Sequence, residues 1–213
     1  MENLIDVLKE EMKKQFKDVG GDHGYDHTIN VYNCAVHLAR VENADLKVIE
    51  AAALLHDIGR KEEMDFKGKI DHALIGAEKA RKILMDLGLD QEFIVKVYFC
   101  VLRHRSRNNW NPESLEEKII FDADKLDSIG ATGIGRAFMW AGKVGARLHT
   151  KNPDLSAGAE YSHEDTAYRE FVIKLDKIKD KIHTNEGKRL AVRRHEFMVK
   201  FFEELNHEME GDI

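Results

Sequence analysis

His27, the adjacent pair His56-Asp57, and Asp124 are the residues of this chain whose types most suit chemistry. Each can lend an imidazole nitrogen or a carboxylate oxygen to a divalent metal. The tightest part of the pattern is Ala53-Leu54-Leu55-His56-Asp57-Ile58-Gly59, an apolar run that ends in an imidazole and a carboxylate side by side. Such groups are costly to bury unless they are paired or bind a metal. Neighbours on a helix point about 100° apart, so both can reach one ion only near a helix end or in a cleft. Gly59 places the pair in the last turn. Alone, the pair also fits an ordinary helix terminus, with the histidine near the negative end of the dipole and the aspartate solvated.

Three further features shift the balance. Asp26-His27 stands near the start of a helix after a Gly-rich turn. Asp122-Ala123-Asp124-Lys125-Leu126-Asp127 follows the apolar Ile119, Ile120 and Phe121. Asp124 and Asp127 share a helix face there, and two like charges repel unless a metal or a base neutralises them. His72 and His104 each fall on a predicted helix bordering the same core.

The elements that must position these groups read as helices. Prolines number only two, β-branched alternation is scarce, and apolar residues recur at helical spacing. Leu4, Val7, Leu8, Met12 and Phe16 mark a first amphipathic helix, which Gly20-Gly21-Asp22 ends. Further helices are expected at about 25–39, 46–58 and 71–87, the third of these with Leu74, Ala77, Ile83 and Leu84 inward. Others follow at about 91–103, 115–129, 133–144, 162–182 and 185–207. The polar stretches Arg105 to Ser114 and Leu148 to Ala159 read as loops. The expectation is an all-α bundle of about nine helices forming one domain over residues 1–213, with a motif core at about 22–130 and the helices of 162–207 packing on it.

Composition agrees with a well-solvated helical protein. The chain has 213 residues, 43% hydrophobic and 34% charged, with a net charge of -6. That charge argues against a general nucleic-acid or anionic-membrane binder. Cys34 and Cys100 sit in apolar helical contexts and read as reduced, buried thiols. Met1 to Lys17 mixes acids and lysines without an apolar core, so it is neither a signal peptide nor a membrane span, and the cytoplasm is expected. Gly130-Ala131-Thr132-Gly133-Ile134-Gly135 imitates a dinucleotide-binding turn but follows a helix, and reads better as a small-residue segment for close packing. His163-Glu164 and His195-Glu196 each lack the second histidine of a zincin motif.

The order His…His-Asp…Asp on an all-helical chain of this size resembles the HD-domain superfamily of metal-dependent phosphohydrolases. Tyr25-Asp26-His27-Thr28-Ile29-Asn30-Val31-Tyr32, Ala53 to Gly59, Arg103-His104-Arg105, Asp122 to Ala131 and Arg194-His195-Glu196-Phe197-Met198 match in order. They look closest to bacterial HD hydrolases, some of which are pyrophosphohydrolases of (deoxy)nucleoside triphosphates. The resemblance implies metal ligands His27, His56, Asp57 and Asp124, with Asp124 rather than Asp122 at the family position. Two imidazoles and two carboxylates make a mixed N/O site that suits Mn²⁺, or Fe²⁺, Co²⁺, Ni²⁺ or Mg²⁺, better than a closed thiolate zinc site would. Such an ion polarises a phosphoryl oxygen and acidifies bound water.

Some HD proteins hold two metals through His…His-Asp…His…His…Asp, an order this chain offers as His27, His56-Asp57, His72, His104 and Asp124. A single ion is the favoured expectation. In that case His104 binds phosphate or positions water, and His72 caps its helix. Arg105, Lys125 and Arg60 are candidates for offsetting phosphate charge. Asp127, His104 and Lys125 are candidates for catalysis, Asp127 as general base or water-orienting group. Two departures bear on this. HD nucleotidases acting on monophosphates resemble His-Asp-x-x-Glu, whereas Arg60 stands at that position here. Branch members often carry arginine where this chain has Asn30. The implied substrate is a nucleotide, first a nucleoside triphosphate cleaved to monophosphate and pyrophosphate. A phosphomonoesterase or cyclic phosphodiesterase is the alternative, as is a nucleotide-binding regulator without turnover. A homodimer is possible; no nucleic acid or membrane partner is expected.

Overall fold

The computed structural model describes residues 4–16, 24–66, 69–105 and 110–211. Among them the backbone forms α-helices and short 3₁₀ segments without a strand, as the periodicity predicts. The helices are α1 (Leu4–Phe16), α2 (Tyr25–Glu42), α3 (Leu46–Leu55), α4 (Arg60–Asp65), α5 (His72–Asp86), α6 (Gln91–Leu102), α7 (Leu115–Asp127), α8 (Gly130–Lys143), α9 (Ala167–Ile173) and α10 (Asn185–Glu210). The expected turn at Gly20-Gly21-Asp22 and residues 106–109 of the expected Arg105–Ser114 loop lie outside the described residues.

Aspartates start several of these helices. Asp45 accepts from the amides of Lys47 and Val48 at α3, Asp71 from Ala73 at α5, and Asp90 from Phe93 at α6. Each satisfies an amide that the helix itself leaves unpaired. At the other end of α2, Asn43 adopts a left-handed conformation (φ 57°), a geometry asparagine tolerates better than most residues.

The chain divides into two compact units, Met1–Asp124 with His183–Gly187, and Lys125–Ile182 with Lys188–Ile213. In the first, α3 is the centre. Val48, Ile49, Ala51, Ala52, Ala53, Leu54 and Leu55 are all buried, so the helix is apolar on every side from Ala51 onward. It packs against α1, α2, α5 and α6, and α5 packs on α6. The face of α5 that turns inward is Ala73, Gly76, Ala77, Ala80 and Leu84. Leu74, expected to point inward, is 40% exposed. The small residues win because α5 approaches the backbone of residues 56–59 closely: a Cβ on Gly76 would lie 3.4 Å from both Gly59 N and His56 O.

One buried carboxylate fixes the return of the chain to this unit. Asp122 Oδ1 accepts from the amide of His183 at 2.9 Å. Its Oδ2 accepts from the Thr184 amide and hydroxyl, each at 2.7 Å. Thr184 Oγ1 in turn accepts from the Gly187 amide in the first turn of α10.

In the second unit, the helix expected over 162–182 is shorter and broken. α9 begins only at Ala167, capped by Thr166, and a 3₁₀ segment over Leu175–Lys181 follows it after Lys174. The delay has a cause. Asp165 accepts from the Tyr161 amide, Trp140 Nε1 and Arg169 Nη1, while Arg169 also donates to the carbonyls of Asp154 and Ser156. Residues 154–165 are therefore held as a loop around a fully hydrogen-bonded buried ion pair. Aromatic packing completes the unit, with Phe171 stacked on Phe202 at 4.7 Å between ring centres. The Gly-rich segment starts α8 and permits close contact: a Cβ on Gly133 would lie 2.2 Å from Ser128 O.

Replacing Asp122 with Ala strands three donors, two of them main-chain amides. Buried donors left unsatisfied cost about 1–3 kcal/mol each, and the effects are not additive. We expect Asp122→Ala to lower unfolding stability by about 3 kcal/mol, measured by urea titration, and Asp122→Asn to lose less.

Candidate metal centre

Six side chains converge in the first unit from five stretches of helix. His27 is the third residue of α2. His56 is the C-cap of α3, and Asp57 lies in the turn of residues 56–59 that follows. His72 is the first residue of α5, His104 follows the C-cap of α6, and Asp124 lies on α7. All six are buried.

Their donor atoms form two triples. His27, His56 and Asp124 have ligand atoms within 4.8 Å of one another, and so do Asp57, His72 and His104. In the first triple, His27 Nε2 lies 3.3 Å from His56 Nε2 and 3.5 Å from Asp124 Oδ1. In the second, His72 Nε2 and His104 Nε2 are 3.2 Å apart. The two oxygens of Asp57 address the triples separately. Oδ2 is 3.6 Å from His27 Nε2 and 3.8 Å from His56 Nε2, while Oδ1 is 3.2 Å from His72 Nε2 and 3.4 Å from His104 Nε2.

These spacings fit a divalent cation. Bonds of about 2.1 Å place neighbouring donors about 3.0 Å apart around an octahedral ion and about 3.4 Å apart around a tetrahedral one. The donor chemistry also fits, being imidazole and carboxylate without thiolate.

The imidazoles are oriented from behind. His56 Nδ1 donates to Ala53 O at 2.7 Å and His104 Nδ1 to Val101 O at 2.6 Å, each acceptor three residues earlier. That fixes the tautomer and leaves Nε2 as a lone-pair donor facing the centre. Burial lowers the pKa of both rings, His56 to about 4, so they are neutral at physiological pH, as metal ligands must be. For Asp57, burial pushes the carboxyl pKa upward. The Arg60 guanidinium and the surrounding histidines outweigh that and hold it well below the usual range.

Around the centre the structure adds partners that residue type alone does not reveal. Glu63 on α4 takes His72 Nδ1 at 2.7 Å, Arg60 Nη1 at 3.1 Å and Arg105 Nη1 at 3.3 Å. Burial raises its pKa, and the hydrogen bond from His72 with the two arginines brings it down to about 2. Lys79 donates to Ile58 O at 2.9 Å and to Glu62 and Gln15, clamping the turn after the His-Asp pair. In the sequence, Glu62, Glu63 and Lys79 read as surface charge.

Other expected residues fall differently. Arg60 Nε donates to Asp57 Oδ2 at 2.9 Å, so both arginines named for phosphate contact centre residues or their partners here. His72 does not cap α5; Asp71 does, leaving the His72 ring to the centre. Lys125 and Asp127 belong to the second unit, where Arg136 Nη1 donates to Asp127 Oδ2 at 2.6 Å.

Fold and centre together define an HD-domain protein. A family model described as the HD domain matches residues 24–129. The chain belongs to this family and is an HD-superfamily hydrolase. It is 33% identical over 198 residues to YpgQ of Bacillus subtilis, covering 91% of this chain and 88% of YpgQ. The crystal structure of YpgQ in complex with ADP matches with a TM-score of 0.75 at 28% identity, covering 98% of this chain and 100% of that one. A crystal structure of an HD-superfamily hydrolase from Bacillus thuringiensis matches with a TM-score of 0.74 at 28% identity, covering 97% and 96%. A symmetrical bis(5'-nucleosyl)-tetraphosphatase of Halalkalibacterium halodurans is 30% identical over 123 residues, which are 50% of this chain and 62% of that protein.

Two tests follow from the geometry. A Cβ on Gly59 would lie 2.3 Å from His72 O and 2.7 Å from Gly76 N, both backbone atoms that cannot rotate away. Gly59→Ala must therefore push α5 outward, and should cost about 1–3 kcal/mol in urea unfolding while weakening metal binding measured by calorimetry. The second concerns pH. The His56 pKa falls from its ordinary 6.5 to about 4 on folding, so its contribution is complete above 6.5 and is lost as pH falls toward 4. Chelator-treated protein should lose stability steadily across that window in denaturant titrations; a flat profile would contradict a neutral buried imidazole.

Proposed function

We propose that the protein is a divalent-metal-dependent phosphohydrolase of the cytoplasm that cleaves a nucleoside triphosphate to the monophosphate and pyrophosphate. The convergence of four imidazole nitrogens on the two oxygens of Asp57 is the observation that carries this reading. In it, His27, His56, Asp57 and Asp124 hold one ion, Mn²⁺ first. Asp57, His72 and His104 would hold a second. The close approach of His72 and His104 to Asp57 Oδ1 favours this over the single ion expected from sequence. A bound ion would supply Lewis acidity to a phosphoryl oxygen and acidify a water molecule.

The chain's own residues do the rest. His56 and His104 keep their protons on Nδ1, bound to carbonyls, and hold Nε2 free of protons. Arg60 and Arg105 bring positive charge beside a centre rich in carboxylates, which favours a polyphosphate anion. Asp127 is less suited to take a proton than its position in sequence suggests, because Arg136 already engages its carboxylate. The glutamate of the monophosphate nucleotidases has no counterpart at Arg60, and Glu63, one turn later, is committed to His72. Both points favour phosphoanhydride over phosphomonoester cleavage. YpgQ, the relative crystallised with ADP, supports a nucleotide as ligand.

The test is hydrolysis of a nucleotide panel in Mn²⁺, with pyrophosphate and orthophosphate measured separately. Pyrophosphate from triphosphates is expected. Orthophosphate from monophosphates would replace the assignment with a phosphomonoesterase, and metal-loaded protein inert to all nucleotides would indicate a regulator. Chelation should abolish turnover and Mn²⁺ should restore it. Asp57→Ala should bind little metal, and should lose more activity than the roughly 10–100-fold that removal of an outer partner costs.

A further inference from the structure

The inner histidines are not held alike. His56 and His104 each lie at a helix C-terminal end and use a carbonyl three residues earlier in their own helix. His72 has no such option. It is the first residue of α5, with Asp71 as the N-cap, so no helical carbonyl precedes it in position to accept from Nδ1. Its acceptor comes from outside the helix, as Glu63 Oε2 at 2.7 Å, and Arg105 Nη1, a donor only, lies 2.6 Å from the same nitrogen.

The element that delivers Glu63 is unusual. α4 is six residues long and none of them is buried. Apolar packing does not hold it. Its contacts are polar: Arg60 with Asp57, Glu63 with His72 and Arg105, and Glu62 with Lys79. Its first and fourth residues, Arg60 and Glu63, also bond each other at 3.1 Å.

We propose that Glu63 is a positioning residue that sets occupancy of the second ion position, by holding the His72 ring with Nε2 toward Asp57 and His104. The inference rests on the two-position reading above. An acceptor on Nδ1 fixes which nitrogen carries the proton, and a carboxylate acceptor makes the other nitrogen a stronger donor. Without Glu63 the neighbour left at Nδ1 is Arg105 Nη1, which can only donate; that favours the proton on Nε2, the position the ion needs. The first position is set differently, because His56 is oriented by the carbonyl of Ala53 in its own helix.

The experiment is metal titration of the full chain with Mn²⁺, by calorimetry and by metal analysis after desalting. Wild type, Glu63→Ala and Glu63→Gln are compared, with circular dichroism confirming the fold. Wild type should bind two ions. Glu63→Ala should keep the first affinity and weaken the second by about 10–100-fold. Glu63→Gln, whose amide oxygen still accepts from Nδ1, should recover part of it. The electron paramagnetic signature of coupled Mn²⁺ should disappear in Glu63→Ala at concentrations where wild type shows it. A role confined to holding α4 in place would lower the unfolding midpoint and leave the second ion's affinity unchanged, and that result would overturn the proposal. Equal weakening of both ions would overturn it too. A wild type that binds one ion would remove the two-position reading itself, and the proposal with it.

Discussion

A carboxylate with no exposure to water sits where the helices of the first unit meet. Asp57 is fully buried, and an uncompensated charge there would be untenable. Its surroundings consist of compensation: Arg60 on one oxygen, imidazole nitrogens around both, and Glu63 keeping the second layer of cations in place. This concentration of polar groups is the reason the end of α3 is a turn rather than more helix. A site of this kind favours a cation, because the Nε2 atoms of His56 and His104 carry no hydrogen while Nδ1 donates to a carbonyl, and burial opposes protonating them.

The scaffold meets the demand with small residues. Three consecutive alanines let α3 sit among its neighbours, and Gly59 and Gly76 let the turn and α5 meet backbone to backbone. Close approach is what brings His72 within reach of Asp57. A larger residue at Gly59 would push His72 away from Asp57 and so disturb the second triple first. The aspartate caps serve the same end, since they set where each helix begins and hence where its first histidine or last carbonyl falls.

Much of this was readable from residue types. Histidine and aspartate next to an apolar run are informative because few structural roles tolerate them there, and the helices of 4–16, 25–42, 91–102 and 185–210 follow from long amphipathic patterns. What escaped had no such pattern. α4 is short, charged and without an apolar face, so it looked like loop. Glu63 stands in Arg60-Lys61-Glu62-Glu63, where any acid reads as solvated, and its partner His72 is distant in sequence. Leu74 misled because apolarity outweighs smallness in a periodicity argument, whereas the backbone contact with Gly59 decided the inward face. The stretch at 162–166 is helix-compatible by composition, but Asp165 is committed to donors on Trp140, Tyr161 and Arg169.

The segment tied down by Asp122 has a practical consequence. The chain leaves the first unit after Asp124, comes back for His183–Gly187, and departs again along α10. In this chain the family match at residues 24–129 therefore leaves out the segment that satisfies Asp122. A fragment cut to that span would carry every histidine of the centre and yet expose the carboxylate that stands two residues from Asp124, robbed of the amides that hold it.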